Sequence, residues 1–517
     1  MLDAINTNII SLSTQNNLAN SQSSLATSIQ RLSSGLKINS AADDPAGLAI
    51  SDRMTSQVNG LNQATQNANN AIALTQTADG GLASTTSLLQ QMRTLAVEAA
   101  NGTNSTSDRQ SLQTEIAQLQ QQIGQVSSTT QYNGINLLDG SLSNVQFQVG
   151  ANAGQTISFA VGSSAANAIG NNTVAATAAT AGITSSEAHL SGTAATFDAN
   201  INLAQTITVA GNGTSATTGI TIGESGHAIA AAINNSAGLT GVTAKATTVA
   251  TLSNFTTGLN TLVLQGAPTS TGNANPITVS STLSSSKDLS DLATKINAQS
   301  GNTGINAVAD LTKGTITLTQ ADGYDIGVRN NSVQSGIMVT GQSSAGVANS
   351  TATAVTLLAD GAATAITGDA ATVGAAISFS GPNSFSVATD TASAGILDAA
   401  ATNVGSTLSS VASIDVTTLT NGLPSGANNA LAVIDAALAN VDTARASLGA
   451  LQNRFSASIS NLQTSTLNIT SARSTVSDTN FAAETANLSR GQILQQAGTA
   501  MLAQANSLPN GVLALLR

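Results

Sequence analysis

Residues 434–476 read IDAALANVDTARASLGALQNRFSASISNLQTSTLNITSARSTV. Ile434, Val441, Leu448, Phe455, Leu462, Ile469 and Val476 stand seven apart, and all are apolar. The interleaved line of Leu438, Arg445, Gln452, Ile459, Thr466 and Arg473 is mixed, with four of the six polar. An apolar period of seven marks the seam of a long helix lying along another helix. At ~1.5 Å per residue the seam runs about 64 Å. These seven residues are the predicted seam of an inner bundle.

Partner helices stand upstream. Leu112, Ile116, Leu119, Ile123 and Val126 alternate steps of four and three, and Met54, Val58, Leu61, Ala68 and Ile72 do so less strictly. Asp44 is a suitable N-cap and Pro45 a suitable first helical residue. No proline follows until Pro268, and none lies between Pro424 and Pro509, so nothing breaks either helical region. Two β-rich runs, 145–149 and 156–161, flank Gly150, Asn152 and Gly154 and predict a hairpin.

The chain ends are helical too. Leu18, Leu25, Ile29 and Leu32 mark one apolar line; Leu494, Ala497, Met501, Ala505 and Leu508 mark another. Within 1–42 only Asp3, Arg31 and Lys37 are charged, and within 478–517 only Asp478, Glu484, Arg490 and Arg517. Burying an unpaired charge costs several kcal/mol, so neutral helix faces suit packing among many identical copies. Leu18, Leu25, Ile29, Leu32, Leu494, Met501 and Leu508 are therefore the predicted subunit-packing residues, without partners in the chain's own bundle.

The middle, 178–424, changes style to short β-branched runs broken by Gly, Asn and Ser. It contains an internal repeat near 207–250 and 277–320. Ile229 to Asn234 matches Leu292 to Asn297, and the register continues through Gly241/Gly304 and Ala244/Ala307. An Ile-Thr-Val strand precedes each copy, at 207–209 and 277–279, so each unit reads strand, short helix, strand. Further strands are predicted at 354–358, 375–380 and 384–387. This region contributes −8 of the net charge of −11, which suits an exposed outer surface.

Composition excludes several function classes. Charged residues are 8% and aromatics 2%, with no basic stripe, which argues against nucleic acid. Without cysteine there are no disulfides and no thiol chemistry. His189 and His227 lie in no catalytic or metal-binding motif, so no catalytic, cofactor or metal residue is expected. The first residues lack the basic and apolar regions of a secretory signal, and no apolar run reaches the ~18 residues of a membrane span. Membrane insertion is not expected, and export without a cleaved signal is.

Three stretches resemble bacterial flagellin: Ser28 to Arg53 (SIQRLSSGLKINSAADDPAGLAISDR), Gln131 to Leu138 (QYNGINLL), and Asp478 to Arg490 (DTNFAAETANLSR) running on to the final Leu-Leu-Arg. The resemblance covers about 1–165 and 425–517, and the Ile-Asn modules resemble units found in many flagellins. It implies an α+β, multi-domain fold: a long coiled-coil-like bundle from both chain ends with a β-hairpin, plus an inserted β-rich region. The expected domains are 1–42 with 478–517 as terminal core, 43–177 with 425–477 as inner bundle, and 178–424 outside. The implied function is that of a structural subunit, not an enzyme. It would leave the cell unfolded by the flagellar type III route and polymerise into the extracellular filament that drives swimming. The hook–filament junction protein, a relative, is the alternative. Implied partners are further copies of the chain, the flagellar cap and hook-junction proteins, and an export chaperone. The segments around Met92–Asn101 and Gln113–Ile116 also resemble the surface bound by Toll-like receptor five, which assigns Arg93, Leu95 and Glu115 to that host receptor; Gln91 departs from the pattern, where an arginine is frequent.

Overall fold

The computed structural model describes residues 7–174, 188–190, 197, 200, 204–266, 276–332, 336–342, 354–358, 369–390, 403–419 and 424–515. The helices are α1 (Ile9–Ser34), α2 (Pro45–Ala99), α3 (Thr106–Thr129), α4 (Gly226–Asn234), α5 (Ala237–Thr240), α6 (Ser290–Asn297), α7 (Ser300–Thr303), α8 (Ser425–Ser477) and α9 (Phe481–Leu515). The chain divides into two compact units. One holds 1–76, 144–160 and 449–517; the other holds 77–143 and 161–448.

In the first unit, α1 pairs with α9, and the early part of α2 lies beside the late part of α8. The start of α2 follows the sequence: the Asp44 carboxylate accepts the Gly47 amide at 2.9 Å, and Pro45 opens the helix. The predicted hairpin forms from Val145–Gln148 and Thr156–Phe159. It docks where the seam carries its one aromatic. Phe147 stacks on Phe159 and meets Phe455 edge-on, each at 5.9 Å between ring centres. Ala68, Ala71 and Leu451 complete that core, and Leu61, Ala64 and Leu462 form the next layer. Phe455 and Leu462 are buried, Ile469 and Val476 half-buried.

In the second unit the helical part buries Leu82, Leu89, Met92 and Ala96 of α2, Ile116, Leu119 and Ile123 of α3, and Ile434, Val441 and Leu448 of α8. Ser105 and Asp108 form a capping box that starts α3. Arg109, 3% exposed, donates to the carbonyls of Ala99 and Asn101 at 3.0 Å and so closes the free end of α2.

The β-rich part of this unit contains the repeat, and the match at an offset of 63 residues extends to bonding. In each copy a hairpin leads to a helix, a short helix and a strand. The first copy is Gln205–Gly211, Thr214–Ile220, α4, α5 and Thr243–Ser253; the second is Gly258–Gln265, Ile277–Leu283, α6, α7 and Ile305–Asp310. The Asn234 carboxamide both receives the Ala244 amide (2.7 Å) and donates to the Ala244 carbonyl (2.9 Å). Asn297 does the same to Ala307, at 2.6 and 2.8 Å. Gly241 and Gly304 end the short helices at φ of 71° and 68°, a conformation that favours glycine.

One expectation is corrected. The Ile-Thr-Val runs are not equivalent strands: 207–209 lies in the first strand of its hairpin, and 277–279 in the second strand of its own. A shared β-pattern, without the intervening turn, does not tell which arm of a hairpin a run occupies. Each module is thus richer than strand, helix, strand. Each has its own core. Ile207, Val209, Ile229, Ile233 and Phe379 belong to one; Leu262, Leu264, Leu292, Ile296, Ile316 and Val328 belong to the other. The strands expected at 354–358, 375–380 and 384–387 appear as Val355–Leu357, Ala376–Gly381 and Ser386–Thr389.

Candidate polymerisation surface

Helices α1 and α9 run antiparallel. Leu25 faces Gly491 and Leu18 faces Gly498, while at the far end Asn8 donates to the Ala505 carbonyl and Ser11 to the Asn506 side chain. The inward line of α1 is Ser11, Thr14, Leu18, Ser21, Leu25, Ser28 and Leu32. Along 481–507 the residues that are not exposed are Glu484, Leu488, Gly491, Gln495, Gly498, Leu502 and Ala505, again in steps of four and three. Side chains on one helix thus fill space left by glycines on the other.

This placement corrects part of the sequence reading. Leu18, Leu25 and Leu32 do have a partner inside the chain, because α9 half-buries them. Ile29 points away from the pair and is exposed. On α9, Leu494 and Met501 are 50% and 60% exposed, whereas Ala505 turns inward. The side chain of Leu508 lies outside the described residues. Missed from sequence were Ile9, Ile10, Leu12, Phe481 and Ile493, all exposed. The signal available was a spacing of seven in small residues, Gly491, Gly498 and Ala505, which fixes the inward face and leaves Leu494 outside it.

Several hydroxyls on these two helices are satisfied within the helix that carries them. Thr14, Ser21, Thr27 and Thr485 each donate to the carbonyl four residues earlier, at 2.7 to 3.0 Å. A neighbour that covers Thr27 or Thr485 strands no hydroxyl donor there. Charge is sparse: Arg31 on α1, and Glu484 and Arg490 on the described part of α9.

The predicted receptor residues lie in the other unit. Arg93 is exposed, and its guanidinium donates to Asp435 at 2.7 Å, an exposed ion pair between α2 and α8. That pairing raises the arginine pKa further, through the hydrogen bond and then the charge. Leu95 is half-buried and Glu115 exposed. Among the described residues no three His, Asp or Glu side chains gather to hold a metal, and no helix is long and apolar enough to cross a membrane. His189 sits on the short strand Ala188–Leu190, and His227 on α4.

Family models match three segments: the bacterial flagellin N-terminal helical region at 5–143, its C-terminal helical region at 431–516, and the flagellin hook IN motif at 261–322. The chain is 40% identical to the B-type flagellin of Pseudomonas aeruginosa over 99% of both chains. It is 37% identical to the flagellin of Salmonella rubislaw over the whole of both. Among solved structures, FliC from Burkholderia pseudomallei is 25% identical with a TM-score of 0.29, covering 74% of this chain and 99% of that one. With flagellins aligned from end to end, the junction-protein alternative is the weaker reading, and the chain belongs to the bacterial flagellin family.

Proposed function

We propose that the outward face of the α1–α9 pair is the surface through which this filament subunit polymerises. Flagellin is a structural protein of the extracellular flagellar filament, not an enzyme, and the chain's work is assembly. The observation that carries the proposal is the exposure of Phe481, Ile493, Leu494 and Met501 on a helix with few charges. Burying the remaining surface of each such side chain is worth about 1–2 kcal/mol, and another copy of the chain can do it repeatedly. Removing 478–517 should abolish seeded polymerisation while the central helices α2, α3 and α8 stay folded. Met501→Asp should do so without loss of helix content, since the residue is exposed in the free chain. Filaments of normal length from Met501→Asp, seen by negative-stain microscopy, would overturn the proposal.

The same reading divides the chain into a terminal core (1–42 with 478–517), an inner bundle (43–177 with 425–477) and an outer region (178–424). The cap, the export chaperone and passage through the type III exporter belong to it as well. The absence of cysteine and the six prolines suit that passage, because neither disulfides nor many slow prolyl steps obstruct it.

A host receptor is a second reading, favoured by Arg93, Leu95 and Glu115 together with the family resemblance. Arg93 beside a partly exposed leucine has the composition of a binding hot spot. A receptor carboxylate would have to compete with Asp435 for the guanidinium. Asp435→Asn should therefore raise receptor activation by monomer, and an Arg93→Ala, Leu95→Ala, Glu115→Ala triple variant should abolish it. Equal activation by the triple variant and the wild type would sink this reading.

A further inference from the structure

The two repeated modules meet at a loop, 320–325, whose connections are unusual for so weakly charged a protein. From the first module, the His227 amide donates to the Gly323 carbonyl, and His227 Nδ1 lies 2.8 Å from the Asp322 carbonyl. The His227 ring stacks on Tyr324 at 4.2 Å between centres. Thr248 Oγ1 donates to the Tyr324 carbonyl at 2.6 Å. Inside the loop, Gln320 Oε1 receives the amides of Asp322 and Tyr324. At its end stands Asp325. One carboxylate oxygen accepts from Asn200 Nδ2 at 2.9 Å, and the same amide donates to the Glu224 carbonyl just before α4. The other oxygen is sealed from water and has no donor among the described residues.

We propose that Asp325 is a proton-operated latch between the two modules: the junction holds while this carboxyl keeps its proton and loosens when the proton leaves. An ionised carboxylate with one oxygen buried and unbonded is costly, and the neutral acid removes that cost. The ionisable groups on its own and the adjoining segments are Asp322 and Tyr324 on the loop, Glu224 and His227 at α4, Lys245 on the strand Thr243–Ser253, and Arg329 further along Ile326–Asn330. Among the described ion pairs none involves Asp325. Burial lifts its pKa from 3.8 to about 7, against the lowering effect of the Asn200 bond. A group raised in the closed state contributes stability that is complete below its ordinary pKa and is lost as pH rises through 7.

The test is amide hydrogen exchange on the full chain between pH 5 and 8.5, corrected for intrinsic exchange and followed at His227 and Tyr324. In wild type, opening should increase up to about tenfold per pH unit from 5 to 7 and level off above. Asp325→Asn, which mimics the neutral acid, should remove the slope and keep the junction closed at pH 8.5. Asn200→Ala should move the levelling-off point to higher pH. A flat wild-type profile, a slope that survives Asp325→Asn, a slope removed instead by His227→Gln, or an unmoved levelling-off point in Asn200→Ala would each overturn the proposal.

Discussion

Asn234 and Asn297 show how one residue type can set a module. Each sits at the end of a helix and offers its carboxamide to both backbone groups of an alanine in the following strand, as a neighbouring strand would. Replacing either by Ala strands a strand N–H and a carbonyl, at a cost of about 1–3 kcal/mol. Calorimetry should show the outer transition lowered by either change, and lowered additively by both, since each module has its own core. The Asn–Ala pairs were visible in the sequence as a repeat, because identical spacing survives without knowledge of the bonds. Asp325 was not visible. A carboxylate is ordinary in composition, and only the burial of one oxygen makes it special. Arg109 was hidden for the same reason: it reads as a surface arginine until the end of α2 is found wrapped around it.

Among the elements, α8 was the easiest to read and α9 the hardest. The α8 seam is written in large apolar residues, and Ile434 to Leu462 are buried along it. The α9 seam is written partly in glycine, which carries no hydrophobic signal, so the sequence pointed to the outward line of Leu494 and Met501 as the helix's marked face. A Cβ at Gly491 would lie 3.2 Å from Leu25 Cδ1, and one at Gly498 3.0 Å from Leu18 Cδ1. Glycine costs a helix about 1 kcal/mol relative to alanine, and here it allows α1 to approach. Gly491→Leu should therefore increase the intrinsic helicity of α9 yet separate the pair. Circular dichroism should show no loss of helix, while sedimentation of seeded samples should show polymer sharply reduced. Unimpaired polymer from Gly491→Leu would mean that the close approach is not needed for assembly.

For the molecule as a whole, the decisive detail is how the β-rich region is tied to the helices. Gln113 of α3 bonds the Ile414 carbonyl and the Val416 amide, and Gln120 bonds the Val411 carbonyl at 2.7 Å. Asn440 of α8 donates to the Pro382 carbonyl at 2.8 Å. These are neutral amides on backbone groups, so salt should loosen them little. Excision of 178–402, which removes only the Asn440 tie, should lower the bundle's thermal transition less than excision of 178–424, which also strips Gln113 and Gln120 of their partners. Equal melting of the two deletions would count against this attachment. The composition shift near 178 and 424 could not reveal it, since glutamine carries no pattern of its own.

The pairing of Gly170–Val174 with Thr407–Ser410 bears on protein engineering. The outgoing chain and the returning chain lie side by side as neighbouring strands, about 5 Å apart. A foreign peptide spliced between residues 174 and 407 would meet ends already held at loop-closing distance, so even a short epitope would need no spacer. Each polymerised copy would then carry that epitope, making the chain a scaffold for dense, regularly spaced antigen display.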